Sequence, residues 1–149
     1  MNLERLVAVS GRPGIYRMAA NRPNGLILEE LDSKKRMFAS GRVHQFTPLE
    51  SISIYTEDEQ DTVDLKQVFR NMFSQLEQLP TPTSKAKPQE LRSYFLEILP
   101  SHDTDRVLIS DIKKIIKWFN FLNDRGIIDL EPDPVVEEET STKEENTEA

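Results

Sequence analysis

The chain contains no cysteine, a single tryptophan, two histidines and no long hydrophobic run. The absence of cysteine excludes disulfides, thiolate metal sites and cysteine nucleophiles. Nowhere do about 18 apolar residues follow one another, and the apolar run near the N-terminus is too short for a signal peptide. We therefore expect a soluble cytoplasmic protein in a reducing compartment, with no membrane partner.

Charge is distributed unevenly along the chain. The 149 residues carry a formal net charge of -7, and residues 131–149 hold eight acidic side chains and one lysine, which accounts for all of it. Residues 1–130 hold 18 basic and 18 acidic side chains and are neutral, whereas strong nucleic-acid binders usually show a basic excess. Residues 131–149 are predicted to be a disordered acidic tail, because they cannot offset the entropy of ordering.

Turn signals divide residues 1–60 into short strands. Proline and glycine at positions 11–14 suit a tight turn, and Pro23-Asn24-Gly25 is typical of a hairpin. The apolar or alternating segments between such signals predict antiparallel strands at residues 15–19, 26–31, 36–39 and 52–56. We expect a small antiparallel β-sheet or an SH3-like barrel.

Residues 61–130 have the spacing of amphipathic helices instead. The first helix is predicted to run to about Leu79 with Asp61 or Thr62 as its cap, and residues 80–87 are predicted to form a linker. Pro88 suits the first turn of a second helix, and Ser110 and Gly126 suit the two ends of a third. The predicted fold class is α+β, with a β domain at 1–60, a three-helix domain at 61–130 and the tail at 131–149.

Four segments identify a likeness to other proteins: SGRPGIYR at residues 10–17, NGLILE at 24–29, LESISIYT at 49–56 and SDIKK at 110–114. Through them the chain resembles an uncharacterised family of Bacteroidota proteins, a domain of unknown function with a small N-terminal β part and a helical C-terminal part. The resemblance implies this architecture and a cytoplasmic bacterial setting. It implies no chemistry.

Two loops could carry chemistry. The glycines at 11 and 14 could form an anion-binding nest with Arg12, but the spacing fits no phosphate-binding motif and a structural turn is the simpler interpretation. His102 precedes two aspartates, yet one loop does not supply the four convergent ligands that a metal site needs. We interpret it as a solvated loop with an Asp-initiated turn, and we predict no metal, cofactor or catalytic constellation.

The third helix offers a candidate binding face. At about 100° per residue, Phe121 falls nearly opposite the apolar face and among Lys113, Lys114 and Lys117, with Trp118 at the boundary. These residues could bind a partner protein or stack a nucleic-acid base. The alternative, which the small size of the chain favours, is that Phe121 and Trp118 pack against the β part.

Residues 1–56 carry eight basic and five acidic side chains, a surplus too small to decide whether the strands form an RNA-binding surface or ordinary solvated ends. We predict a non-catalytic binding or scaffolding protein whose partner is a protein. The alternative is a weak RNA- or ribosome-associated module that uses the basic β surface and the lysine-rich helix face. The candidate binding residues are Arg12, Tyr16, Arg17, Arg36, Lys113, Lys117, Trp118 and Phe121.

Overall fold

The computed structural model describes residues 1–12, 14–83 and 85–130, so the predicted acidic tail lies outside the described residues. The fold is mixed α+β. Its strands and helices are β1 Leu6–Val9, β2 Ile15–Arg22, β3 Gly25–Glu30, β4 Arg36–Ser40, β5 Phe46–Pro48, β6 Ser53–Tyr55, β7 Thr62–Asp64, α1 Leu65–Ser74, α2 Pro88–Ile98 and α3 Ile109–Asp124.

Strands β1 to β5 form one antiparallel sheet in the order β4-β3-β2-β1-β5. The predicted hairpin at Asn24-Gly25 is confirmed, because Arg22 of β2 pairs with Gly25 of β3. Within the described chain the sheet does not close into a barrel, since β4 and β5 are its two edges. The structure therefore supports the predicted antiparallel sheet but not a closed SH3-like barrel.

The two faces of this sheet contact different groups. Alternate residues point to opposite faces, so Leu6 and Ile15 reach the main core beneath the helices, whereas Val7 and Val9 face the other way. That second face buries its own cluster with Leu28 and its neighbours. Both faces of the sheet therefore contribute apolar packing to the stability of the fold.

Residues 52–56 contain a strand, as predicted, but it does not join the large sheet. Strand β6 pairs with β7 in a separate two-stranded sheet, where Ile54 lies opposite Val63. Residues Thr62–Asp64 are therefore strand, and α1 begins at Leu65 after the N-cap Asp64 instead of after Asp61 or Thr62. The hairpin pairing with β6 outweighs the tendency of these polar residues to cap a helix.

The three predicted helices are present with altered ends. Helix α1 ends at Ser74, and the apolar positions that extend its pattern to Leu79 lie in turns that remain packed against the core. Helix α2 begins at Pro88 as predicted. Helix α3 begins at Ile109, where the Asp111 carboxylate accepts a hydrogen bond of 2.9 Å from the Leu108 amide, so Ser110 is not its cap.

Helices α1 and α3 meet at the centre of the main core. The rings of Phe69 and Phe119 are both fully buried, with centroids 5.9 Å apart. The segment predicted as a linker is tied to this core, since the Thr81 hydroxyl donates to the Asn120 side chain at 3.0 Å. Helix α3 thus packs its buried face against α2 and, through this ring pair, against α1.

Candidate binding cleft

A cleft of about 760 Å³ lies between α3 and the large sheet. Its first wall is the end of β1 with the turn at residues 10–14, its second is β6, and its third is α3 together with the preceding loop. The apolar lining includes Ile52, Ile54, Val107, Ile115, Trp118 and Phe121, and the basic lining is Arg12, Arg106, Lys114 and Lys117.

Phe121 forms the contact between α3 and the turn of the sheet. Gly14 has a φ of +85°, and a Cβ atom there would lie 2.8 Å from Cε1 of the Phe121 ring. Glycine is required for both reasons, because it tolerates this backbone conformation and leaves room for the ring. Phe121 is half-buried and packs against the main core, which agrees with the packing alternative for this residue.

Arg125 holds Phe121 from its other side. Its guanidinium carbon lies 3.6 Å from the centroid of the Phe121 ring. The same guanidinium donates two hydrogen bonds, of 2.9 and 2.8 Å, to the Asp32 carboxylate in the turn between β3 and β4. This hydrogen bonding is the first cause of a lowered pKa of Asp32. The bidentate pair ties the end of α3 to the sheet.

The lysines of the cleft lack charge partners. Lys114 and Lys117 are exposed, and neither forms an ion pair with any residue in the described ranges. The nearest acid on their helix, Asp111, accepts the hydrogen bond that caps the helix start. Asp111 also lines the cleft, so an entering anionic group would meet two ammonium groups that form no ion pair, with one carboxylate beside them.

Arg12 also lines the cleft, but its guanidinium extends to a residue of the cluster on the other face of the sheet. Its Nη1 lies 3.3 Å from the Met37 sulfur, which is a weak acceptor, and its buried Nε has no hydrogen-bond partner. A buried donor without an acceptor carries a desolvation cost. Because this Nε is buried, it cannot itself meet an incoming carboxylate, and Arg12 forms part of the cleft wall.

Arg106, by contrast, already forms two ion pairs and a cation–π contact. Its guanidinium binds Asp103 at 2.8 Å and Asp61 at 3.0 Å and lies over the Tyr55 ring. Hydrogen bonds to Asp61 and then to Asp103 raise the pKa of Arg106 above its usual value. This residue joins the two-stranded sheet to the loop before α3, so it builds the cleft wall more than it attracts an anion.

The structure brings together half of the predicted site residues. Arg12, Lys117, Trp118 and Phe121 line the cleft, whereas Lys113 lies outside its lining. Sequence analysis did not assign Ile54 or Arg106 to a site. No local signal marks them, since they reach the cleft through strand pairing and through contacts between distant parts of the chain.

The basic strand surface that the sequence leaves open is interrupted by an acidic residue. In the strand register, Arg17 of β2 lies opposite Glu29 of β3, and Glu29 in turn lies opposite Arg36 of β4. The Arg36 Nε lies 3.1 Å from the Glu29 carboxylate. Tyr16 packs in the cluster on the other face of the sheet, away from Arg17. The strand order thus places an acid between the two arginines and separates them from the aromatic ring.

His102 does not lie in a solvated loop, contrary to the prediction. It is 1% exposed, its Nδ1 lies 2.8 Å from the Leu99 carbonyl, and its Nε2 lies 3.0 Å from Nη1 of Arg92. Because the arginine can only donate, Nε2 accepts, and the ring is neutral with its proton on Nδ1. Asp103 does initiate a turn, accepting from the amide of Asp105 at 2.9 Å. In the described part of the chain, no three acids or histidines are placed to hold a metal ion.

The buried His102 gives the fold a specific pH dependence. Burial lowers the pKa of His102 below its usual 6.5, which outweighs the opposing effect of the Leu99 carbonyl. The unfolded chain therefore takes up a proton near pH 6.5 that the folded chain resists. The free energy of unfolding should be level above that pH and should fall as the pH drops from 6.5 towards the lower folded pKa.

Urea unfolding at steps between pH 7.5 and 5 checks this, since carboxylates mostly titrate below about pH 4.5. His102→Asn keeps a donor for the Leu99 carbonyl and should remove most of the slope in this window. His44→Asn controls for the loss of one imidazole. A slope unchanged in His102→Asn would show that another group is responsible.

The described residues thus define a class of protein, a two-part α+β protein with an N-terminal sheet, a helical C-terminal part and a cleft where the two meet. Domain of unknown function DUF5606 matches residues 3–49, and domain of unknown function DUF6852 matches residues 52–122. The cleft uses residues from both matched regions. No helix in the described ranges has the length and apolarity needed to cross a membrane.

One solved structure is similar to this chain over most of the length of both proteins. It is the solution NMR structure of a structural-genomics target from Bacteroides vulgatus, which shares 34% sequence identity with this chain, at a TM-score of 0.70. The match covers 86% of this chain and 90% of that one. A search of curated proteins finds no match. The chain belongs to the same family as the Bacteroides protein, an uncharacterised Bacteroidota family, which confirms the resemblance seen in the sequence.

Proposed function

We propose that this protein is a non-catalytic cytoplasmic binding or scaffolding protein, and that its cleft binds a segment of a partner protein. The observation that carries the proposal is the combination of apolar lining residues with two exposed lysines that form no ion pair in the described ranges. The segment that fits has apolar side chains for Ile54 and Trp118 and carboxylates for Lys114 and Lys117.

Each part of the cleft supplies a different part of recognition. Apolar floors provide most of the binding energy in peptide sites, while rim charges speed association and fix the register. The exposed lysines keep their hydration until an acid approaches, which suits weak and reversible binding.

The fold suits a scaffolding role. Strand β1 pairs with both β2 and β5, so the sheet has the meander and returning strand from which a small SH3-like barrel is built, and we retain the SH3-like assignment as part of this proposal. The β5 edge borders the cleft through Thr47, whereas no residue of the β4 edge lines it.

The RNA alternative has less support from the geometry. Base stacking needs an open aromatic face, yet Arg125 covers one face of Phe121 and Gly14 lies against its edge. The arginines at 17 and 36 flank Glu29, which reduces the positive field of the strands. We therefore favour a protein segment, and RNA remains an outcome of the test.

The test is affinity capture from native lysate with three baits: the wild-type chain, Lys114→Glu/Lys117→Glu, and the control Lys85→Glu/Lys87→Glu. The control lysines are exposed and do not line the cleft. We expect a defined protein, identified by mass spectrometry, that the wild type and the control retain equally. The cleft variant should retain it at least about tenfold less, because two attractive contacts become repulsive.

Other outcomes contradict the proposal in distinct ways. If all three baits retain the same proteins, the cleft is not the binding site. If capture is lost on treatment with ribonuclease and falls steeply with salt, the RNA-associated function is the correct one.

A further inference from the structure

We propose that the acidic segment at residues 131–149 of this same chain binds the cleft and competes there with the partner. This inference rests on the proposed function only in using the same cleft. It names a regulatory occupant that travels with the protein, so that partner binding depends on displacing the segment.

Charge complementarity is the first argument. Residues 131–149 carry all of the net charge of -7, while residues 1–130 are neutral. The described part of the chain is thus balanced overall, but its cleft presents Lys114 and Lys117, neither of which forms an ion pair with a residue in the described ranges. The excess acids of the segment are the largest source of opposite charge within the molecule.

The segment also has an apolar element. Val135 and Val136 lie directly before Glu137, Glu138 and Glu139. Adjacent apolar and acidic groups match the floor and rim of the cleft, where Trp118 and Ile115 lie beside Lys114 and Lys117. The segment therefore resembles in its chemistry the partner segment that the cleft is proposed to bind.

Connectivity permits this docking. The guanidinium of Arg125 lies on the ring of Phe121, which lines the cleft, and Leu130 follows Arg125 by five residues. Leu130 is therefore at most roughly 20 Å from that end of the cleft, and 19 extended residues reach up to about 60 Å. Glu137 to Glu139 can reach the lysines with length to spare.

Tethering strengthens an otherwise weak contact. A segment joined by a short connection experiences an effective concentration in the millimolar range. An electrostatic contact of millimolar affinity would then occupy the cleft for a substantial fraction of the time and would be weakened by salt. A partner of higher affinity would displace the segment, whereas a ligand that binds the cleft weakly would not.

The single tryptophan of the chain reports on this cleft directly, because Trp118 lines it. The experiment uses the full chain and a tail variant in which Glu137, Glu138, Glu139, Glu144 and Glu145 are replaced by glutamine. Raising the salt concentration should shift the emission of Trp118 to longer wavelength in the wild type, as the segment leaves the cleft. The tail variant should show the shifted emission at low salt and little further change.

A peptide with the sequence of residues 131–149 serves as the probe of competition. Added to the full chain, it should bind the tail variant about three- to tenfold more tightly than the wild type, because the internal competitor is weakened. Lys114→Glu/Lys117→Glu should abolish this binding. Adding Glu137→Lys, Glu138→Lys and Glu139→Lys to the Lys114→Glu/Lys117→Glu variant exchanges the two charges. The low-salt emission of Trp118 should then be restored.

Equal peptide affinity for the wild type and the tail variant, or emission that is insensitive to the lysine changes, would overturn the inference. This failure is distinct from failure of the proposed function. A partner captured through the cleft with no effect of the tail would leave the function intact and remove only its regulation. A tail that docks with no partner captured would do the reverse.

Discussion

Replacing Gly25 with alanine should lower the free energy of unfolding by about 3 kcal/mol or more, because overpacking against backbone is among the most costly single substitutions. A Cβ atom at position 25 would lie 2.0 Å from the carbonyl oxygen of Ala39. That oxygen belongs to β4, so the clash cannot be relieved by turning a side chain. The β3–β4 pairing would have to separate at its end.

Denaturant unfolding of Gly25→Ala measures the effect, and Gly41→Ala is the matched control at the same end of the hairpin. A Cβ atom at position 41 would lie 3.4 Å from the nearest backbone oxygen, at ordinary contact distance. The control should change the free energy of unfolding by less than about 1 kcal/mol. If the two variants unfold alike, the close approach of β3 and β4 at Gly25 is not a constraint on the fold.

Replacing Phe121 with alanine should lower the free energy of unfolding by about 2–3 kcal/mol, somewhat less than for a fully buried phenylalanine. The ring fills the space above Gly14 and supports the Arg125 guanidinium that binds Asp32. Its loss would leave a gap between α3 and the sheet. The cleft wall would also be lost, so binding should weaken together with stability.

The control for this prediction is Phe38→Ala, since Phe38 is 50% exposed on the edge strand β4 and should cost less than about 1 kcal/mol. An unchanged midpoint for Phe121→Ala, with loss of partner capture, would contradict the packing role. Phe121 would then act as an exposed binding residue, the other alternative that the sequence leaves open.

The local signals in the sequence were sufficient to place most elements. Asn24-Gly25 predicts a hairpin because these residues suit a tight turn. Pro88 begins α2 because proline lacks an N–H group, and the N–H groups of a first helical turn have no partner within the helix. The apolar spacing of α3 predicted its buried face, with Phe119 on the core. Each of these elements depends on interactions between residues that are close in sequence, so it can be predicted without knowledge of the tertiary structure.

The candidate site depended on contacts that no local pattern records. Arg17 and Arg36 looked like a basic surface until the register of β2, β3 and β4 placed Glu29 between them. His102 looked solvated, but the antiparallel bridge to Thr56 draws its loop into the interior, where Phe95 covers the ring. In both cases the deciding neighbour lies outside the local sequence or on another strand.

The sequence by itself determined the α+β composition, the neutral body with its acidic C-terminal segment, and the family. Turn chemistry, helical periodicity and side-chain charge are properties of short segments and are independent of topology. Tertiary structure alone decided that Arg12, Lys114, Lys117 and Trp118 share one cleft. The physical reason is that strand pairing and burial determine which charged side chains form ion pairs. The charged side chains that form none mark the surface that is available to bind a partner.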